Sequence, residues 1–139
     1  MRLRSLTIAV VAATALAAAP AQGAPPVAAQ RTLVSYSRSG GLLALRETLV
    51  VTRAGRATAM GAHGFSGRPL RATTMRRLRG LLAAARFDLV PRPTDPCEDC
   101  FRQTVAYAGR RTSYFEGAKV PASVRAAIAE LQRIARGGG

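Results

Sequence analysis

Residues 45–52 read LRETLVVT, and this stretch decides the fold class. Its odd-numbered residues share one face of an extended chain and its even-numbered residues share the other, which is the period of a β-strand with one buried face. Residues 32–38, with Val34 and Tyr36, form a second β-favouring stretch, which Ser39-Gly40-Gly41 breaks. The two stretches predict an antiparallel β-hairpin.

Residues 53–86 predict a turn, a short strand, a loop and a helix. A turn at 53–56 leads to a short edge strand at 57–60. Gly61 to Leu70 contains three glycines and one proline, which predicts a loop. Thr73 or Thr74 then provides the N-cap of a helix that continues to about Arg86.

The second half of the chain repeats the pattern of hairpin and helix. Phe101 to Ala108 alternates, Gly109-Arg110 forms a turn, and Thr112 to Glu116 returns as a strand. Pro121 then opens a helix with an apolar stripe made of Val124, Ala127, Ile128, Leu131, Ile134 and Ala135. We therefore expect one α+β domain over residues 32–136, with an antiparallel sheet of four to five strands and two helices packed on one face.

The N-terminus has the pattern of a secretory signal peptide. Met1 to Arg4 is basic, and Ser5 to Ala19 is an apolar run without a charge, too short to span a bilayer. Small residues allow cleavage after residue 23 or as late as residue 29. We expect a signal peptide over 1–23, a flexible lead-in over 24–31 and a mature protein outside the cytoplasm without a membrane span.

The chain is strongly cationic. Its formal net charge is +14, and Lys119 is its one lysine among 21 basic residues. Two readings stay open: the arginine excess reflects GC-rich codons, or it attracts anionic partners such as cell-envelope polymers. In either case we expect nonspecific polyanion binding at low salt, with Arg76, Arg77 and Arg79 as candidate contacts on the exposed side of the first helix.

The pair Cys97 and Cys100 has the spacing of a thiol oxidoreductase. The pair follows a proline-containing loop rather than opening a helix, and carboxylates beside it would raise a thiol pKa. We therefore expect a structural disulfide, as is usual in an exported chain. A zinc site needs three or four ligands, and beyond the two cysteines the sequence offers only His63. No motif indicates a catalytic centre, so we expect no metal, no cofactor and no enzymatic activity.

Four segments together resemble emfourin-type proteins, a family that includes protein inhibitors of thermolysin-like metalloproteases. They are YSRSGG at 36–41, ARFD at 85–88, AGRR at 108–111 and Val120-Pro121 at the start of the last helix. The resemblance spans residues 33 to 136 and implies an antiparallel sheet with helices and a secreted metalloprotease as partner. The leader, the cysteine loop and the long segment 61–70 depart from the family pattern.

The turn after residue 38 is the candidate target-binding loop. A glycine-rich turn brings backbone close to a partner, and a following leucine can fill an apolar pocket. The alternative is a plain hairpin turn whose leucines fold back onto the core. The candidate residues are Arg38, Ser39, Gly40, Gly41, Leu42 and Leu43.

Overall fold

A computed structural model describes residues 31–94, 97 and 99–138. The predicted signal peptide and residues 24–30 of the predicted lead-in lie outside the described residues. The elements of the described chain are, in order, β1 Thr32–Gly40, β2 Leu45–Thr52, β3 Arg56–Met60, β4 Phe65–Pro69, α1 Ala72–Ala84, a 3-10 turn Phe87–Leu89, β5 Phe101–Tyr107, β6 Arg110–Phe115 and α2 Ala122–Ala135.

The strands form a single antiparallel sheet in the order β4-β3-β2-β1-β5-β6. The predicted α+β fold is confirmed, with six strands in place of the four to five expected. The first hairpin matches the prediction closely, because β2 has the predicted bounds and β1 runs only two residues further, to Gly40.

One face of the sheet packs against the helices to form the core. Val34 and Tyr36 of β1, Leu49 of β2 and Val105 of β5 are buried in one cluster with residues of both helices. The α2 stripe is confirmed, since every residue predicted for it is buried except the half-buried Ala135. Strand residues between the buried ones point to the other side, which no helix of the described chain covers.

The predicted loop at 61–70 is wrong in its second half, because Phe65–Pro69 forms β4 and makes β3 an internal strand. The Gly67 amide donates to the Thr58 hydroxyl at 3.0 Å, and Phe65 packs against the core. Backbone pairing with β3 therefore forms this strand without alternation in its sequence. Pro69 is tolerated because it lies at the end of an edge strand.

Two element boundaries also differ from the prediction. Helix α1 begins at Ala72 with no side-chain cap, and it ends at Ala84. The predicted cap, Thr73 or Thr74, is wrong, because both residues lie inside the helix and Arg71 occupies the N-cap position. The second hairpin turns at Ala108-Gly109, whose φ angles are 49° and 77°, so β6 starts at Arg110 instead of Thr112. Positive φ at both positions is the requirement of a tight two-residue turn.

Candidate functional site

The turn between β1 and β2 presents two leucines to solvent. Leu42 is 87% exposed and Leu43 is 80% exposed. The turn closes through a hydrogen bond of 3.0 Å from the Ala44 amide to the Gly41 carbonyl. The leucines therefore do not fold back onto the core, which was the alternative that the sequence left open.

The base of this turn is held against the start of β5. Gly40 has a φ of +121°, and a Cβ placed on it would overlap the carbonyl oxygen of Cys100. A Cβ on Gly41 would lie 2.8 Å from Cζ of the Phe101 ring. Only glycine allows the backbone this close, so the YSRSGG segment has a structural reason for both of its glycines.

Arg38 lies beneath the turn rather than at its tip. Its guanidinium carbon lies 3.6 Å from the centre of the Phe101 ring, and its Nη2 donates to Oε2 of Glu116 at 2.9 Å. Across the hairpin, its Nη1 lies 3.9 Å from Oε2 of Glu47. Arg38 thus supports the turn through contacts inside the molecule, whereas Leu42 and Leu43 are free to meet a partner.

Cys97 and Cys100 form the predicted disulfide, with their Cα atoms 5.3 Å apart. Cys100 is the residue whose carbonyl faces Gly40, and Phe101 is the residue whose ring faces Gly41. The disulfide therefore closes the segment that supports the candidate loop, a role that the spacing of the cysteines alone did not indicate.

A buried polar network lies behind Arg38 on the core face. Gln132 of α2 donates to the Tyr36 hydroxyl at 3.1 Å, and the hydroxyls of Tyr36 and Tyr114 both lie 3.4 Å from Oε1 of Gln103. Burial raises the pKa of Tyr114 to about 12. Burial also raises the pKa of Tyr36, an effect that the hydrogen bond from Gln132 opposes. Both phenols are therefore neutral donors at physiological pH.

The candidate arginines on α1 are exposed as predicted, yet two of them have internal partners. Arg77 lies 3.4 Å from the Glu130 carboxylate, and Arg79 donates to the Arg53 carbonyl at 2.8 Å. Glu130 is buried on α2, and Arg133 donates to it at 2.6 Å. That hydrogen bond holds the pKa of Glu130 below its usual range, although burial acts in the opposite direction.

His63 lies exposed in the loop between β3 and β4. Across the described residues, no three side chains among His, Cys, Asp and Glu converge as a metal site would require. Neither helix of the described part of the chain combines the length and apolar composition needed to cross a membrane.

Comparison with protein-family models, with curated proteins and with solved structures finds no match to this chain. The resemblance to emfourin-type proteins therefore stays a prediction.

Proposed function

We propose that this chain is a secreted, non-enzymatic protein-binding domain that inhibits an extracellular metalloprotease through the turn at residues 39–43. The observation that carries the proposal is the pair of solvent-exposed leucines, Leu42 and Leu43, on a turn whose base is closely packed. Burial of these exposed leucines against a partner would make binding more favourable.

The gain is large enough to anchor a complex. Burying one leucine side chain contributes about 1.5–3 kcal/mol. Loops usually lose part of such a gain because binding must order them. Here the contacts of Gly40 with Cys100 and of Gly41 with Phe101 restrict the turn before a partner arrives. A restricted turn lowers the ordering cost of binding.

The choice of a metalloprotease as target follows from the emfourin resemblance. Its strongest motif, the Arg-Ser-Gly-Gly run at 38–41, leads directly into the turn that presents the leucines. An apolar specificity pocket of a protease suits a leucine side chain. The disulfide also suits an exported protein, because disulfides persist in oxidising compartments.

The test measures inhibition of a thermolysin-like protease by the purified protein and by two matched variants. Leu42→Asp places a charge at the tip of the turn. Leu89→Asp is the control, since Leu89 is also a large exposed apolar residue, at 56%, but lies in the 3-10 turn after α1. Both variants should unfold at nearly the same temperature as the parent, because both side chains are exposed.

We expect Leu42→Asp to raise the inhibition constant by at least about tenfold, which corresponds to the loss of one buried leucine. Leu89→Asp should leave it unchanged within about twofold. Inhibition that Leu42→Asp leaves intact would exclude the turn as the contact. No inhibition by the parent protein would exclude this class of target.

A further inference from the structure

The face of the sheet turned away from the helices carries a central row of small hydroxyl side chains, with the exposed apolar side chains of Val50 and Met60 beside it. We call it the open face. Its central row runs across four strands, because Ser37 of β1 lies opposite both Thr48 of β2 and Thr104 of β5, and Thr104 lies opposite Ser113 of β6. The hydroxyls of Thr104 and Ser113 are 2.8 Å apart. This row offers hydrogen-bond donors and acceptors on one continuous surface.

Four arginines surround this hydroxyl surface. Arg46 and Arg102 both lie opposite Ser39, one on each side of β1. Arg111 lies towards the other end of the strands on β6, and Arg56 opens β3 at that end. Each arginine lies one or three residues along its strand from a residue that is buried on the core face, so the arginines belong to the open face. These buried residues are Leu49 on β2, Ala57 on β3, Gln103 on β5 and Tyr114 on β6.

The four open-face arginines make no ion pair with a described carboxylate. Within the described residues, the arginines that pair with carboxylates are Arg38, Arg77, Arg86 and Arg133. The open-face arginines have no such partner there. Their charges are therefore available to an external anion.

No described acidic side chain lies on the open face. Glu47 points to the core face, where it meets Arg38. Asp88 and Glu130 lie in the 3-10 turn and in α2, and Asp99 and Glu116 lie outside the strands. The open face therefore combines four positive charges with no opposing carboxylate from the described chain.

We propose that the open face binds an anionic polysaccharide. Charge complementarity selects an anion, and the row of hydroxyls matches the hydroxyl groups of sugar rings. Single-stranded nucleic acid is less suited, because its binding depends on stacking with exposed aromatic rings. The aromatic ring on this face, Phe115, is half-buried and has the Arg102 guanidinium 5.1 Å from its centre.

The spacing of the arginines favours a polymer over a small anion. Arg46 and Arg102 are two strands apart, which places their backbones about 10 Å from each other. Arg46 and Arg102 lie in the row of Ser39, and Arg111 lies in the row of Ser35. These two rows are four residues apart along β1, which is a distance of about 13 Å. An extended chain with repeated anionic groups can reach both rows at once. This surface is independent of the β1–β2 turn, so the proposal does not depend on inhibition.

The test measures affinity for heparin, an anionic polysaccharide used as the probe, by titration at several salt concentrations. One variant combines Arg46→Ser, Arg102→Ser and Arg111→Ser. The control combines Arg71→Ser, Arg76→Ser and Arg136→Ser, which removes the same charge from exposed positions at the helices. Thermal unfolding checks both folds, and the single variants Arg46→Ser and Arg102→Ser replace the triple variant if it fails to fold.

We expect the open-face triple variant to lose about tenfold in affinity, because each exposed ion pair contributes a factor of about two. The salt dependence of its affinity should also be shallower, since fewer counterions are released on binding. The control should lose less than about threefold, and neutral dextran should not bind. Equal losses in both triple variants would overturn the proposal in favour of diffuse charge. Tighter binding to poly-uridylate than to heparin at matched charge would overturn it in favour of nucleic acid.

Discussion

Gly40→Ala tests whether the base of the candidate loop is as tightly packed as the geometry indicates. Two costs add. A φ of +121° is a conformation that alanine rarely adopts, which costs about 1–2 kcal/mol. The new Cβ would also overlap the Cys100 carbonyl oxygen, a backbone atom that cannot rotate away, which costs roughly 1–3 kcal/mol more.

We therefore expect Gly40→Ala to lower the free energy of unfolding by about 3 kcal/mol in urea titrations followed by circular dichroism. For a domain of about 100 residues this corresponds to a fall in Tm of roughly 15 °C. Gly109→Ala is the matched control, because Gly109 also has a positive φ, of +77°, but a Cβ added to it would have no neighbouring atom within 4 Å. It should cost only about 1 kcal/mol.

The difference between the two variants isolates the contact of Gly40 with Cys100. We expect a difference of about 2 kcal/mol in the free energy of unfolding. Equal costs for Gly40→Ala and Gly109→Ala would refute the close approach of β1 to the start of β5. The rigid base of the loop would then lose its physical basis, and with it the reason for a low ordering cost on binding.

Three further predictions concern Glu130, Tyr114 and the disulfide. Glu130→Gln should cost about 1–2 kcal/mol at neutral pH, because it removes a charge-assisted hydrogen bond from Arg133. The fold lowers the pKa of Glu130, so the charged carboxylate stabilises the fold above its unfolded pKa, and this stabilisation is lost as the pH falls through the folded pKa. In urea titrations from about pH 7 to about pH 3, the free energy of unfolding of the variant should therefore fall less steeply with pH than that of the parent. Identical profiles would contradict this. Burial raises the pKa of Tyr114 to about 12, so its contribution to stability is complete below the unfolded pKa of about 10 and is lost as the pH rises towards 12. Because Tyr36 also titrates late, Tyr114→Phe should reduce the amplitude of the alkaline step in an absorbance titration of the phenols, and an unchanged amplitude would contradict the prediction. The double variant Cys97→Ser and Cys100→Ser should lower stability by about 2 kcal/mol on the loop-closure estimate. Inhibition should persist at temperatures where the variant is folded, because the loop contacts the carbonyl of residue 100 and the Phe101 ring and no sulfur atom; loss of inhibition in a folded variant would contradict this supporting role.

The sequence alone was sufficient to predict the elements in which apolar residues recur at a regular spacing. The alternation of 45–52 defined β2, and the stripe from Val124 to Ile134 defined the buried face of α2. Both patterns depend on side chains within one element, so neighbouring elements add little to them. The strand β4 lacked such a pattern, because its pairing comes from β3 and Phe65 is its one large apolar residue.

The candidate loop was predictable, but its support was only partly so. The contact of Arg38 with Glu47 follows from the hairpin register, and a four-residue turn at 41–44 would have indicated it. The contact with Glu116 is different, since these residues are 78 positions apart and meet only because β5 pairs with β1. Nothing local to either residue encodes that pairing.

The exposure of some charged residues could likewise be predicted from the local sequence, whereas that of others could not. Exposure of Arg76, Arg77 and Arg79 followed from the helical period. The burial of Glu130 did not, because a charged residue beside the apolar stripe would ordinarily face solvent. Its pairing with Arg133, three residues later on the same helix, was the available signal.

The most direct measurement is the residual activity of a thermolysin-like protease titrated with the purified mature protein at low and at moderate salt. The proposed function predicts a linear fall in activity that ends at one inhibitor per enzyme and that persists at moderate salt, because leucines rather than exposed charges make the contact. Full activity at every ratio, or inhibition that moderate salt abolishes, would contradict it.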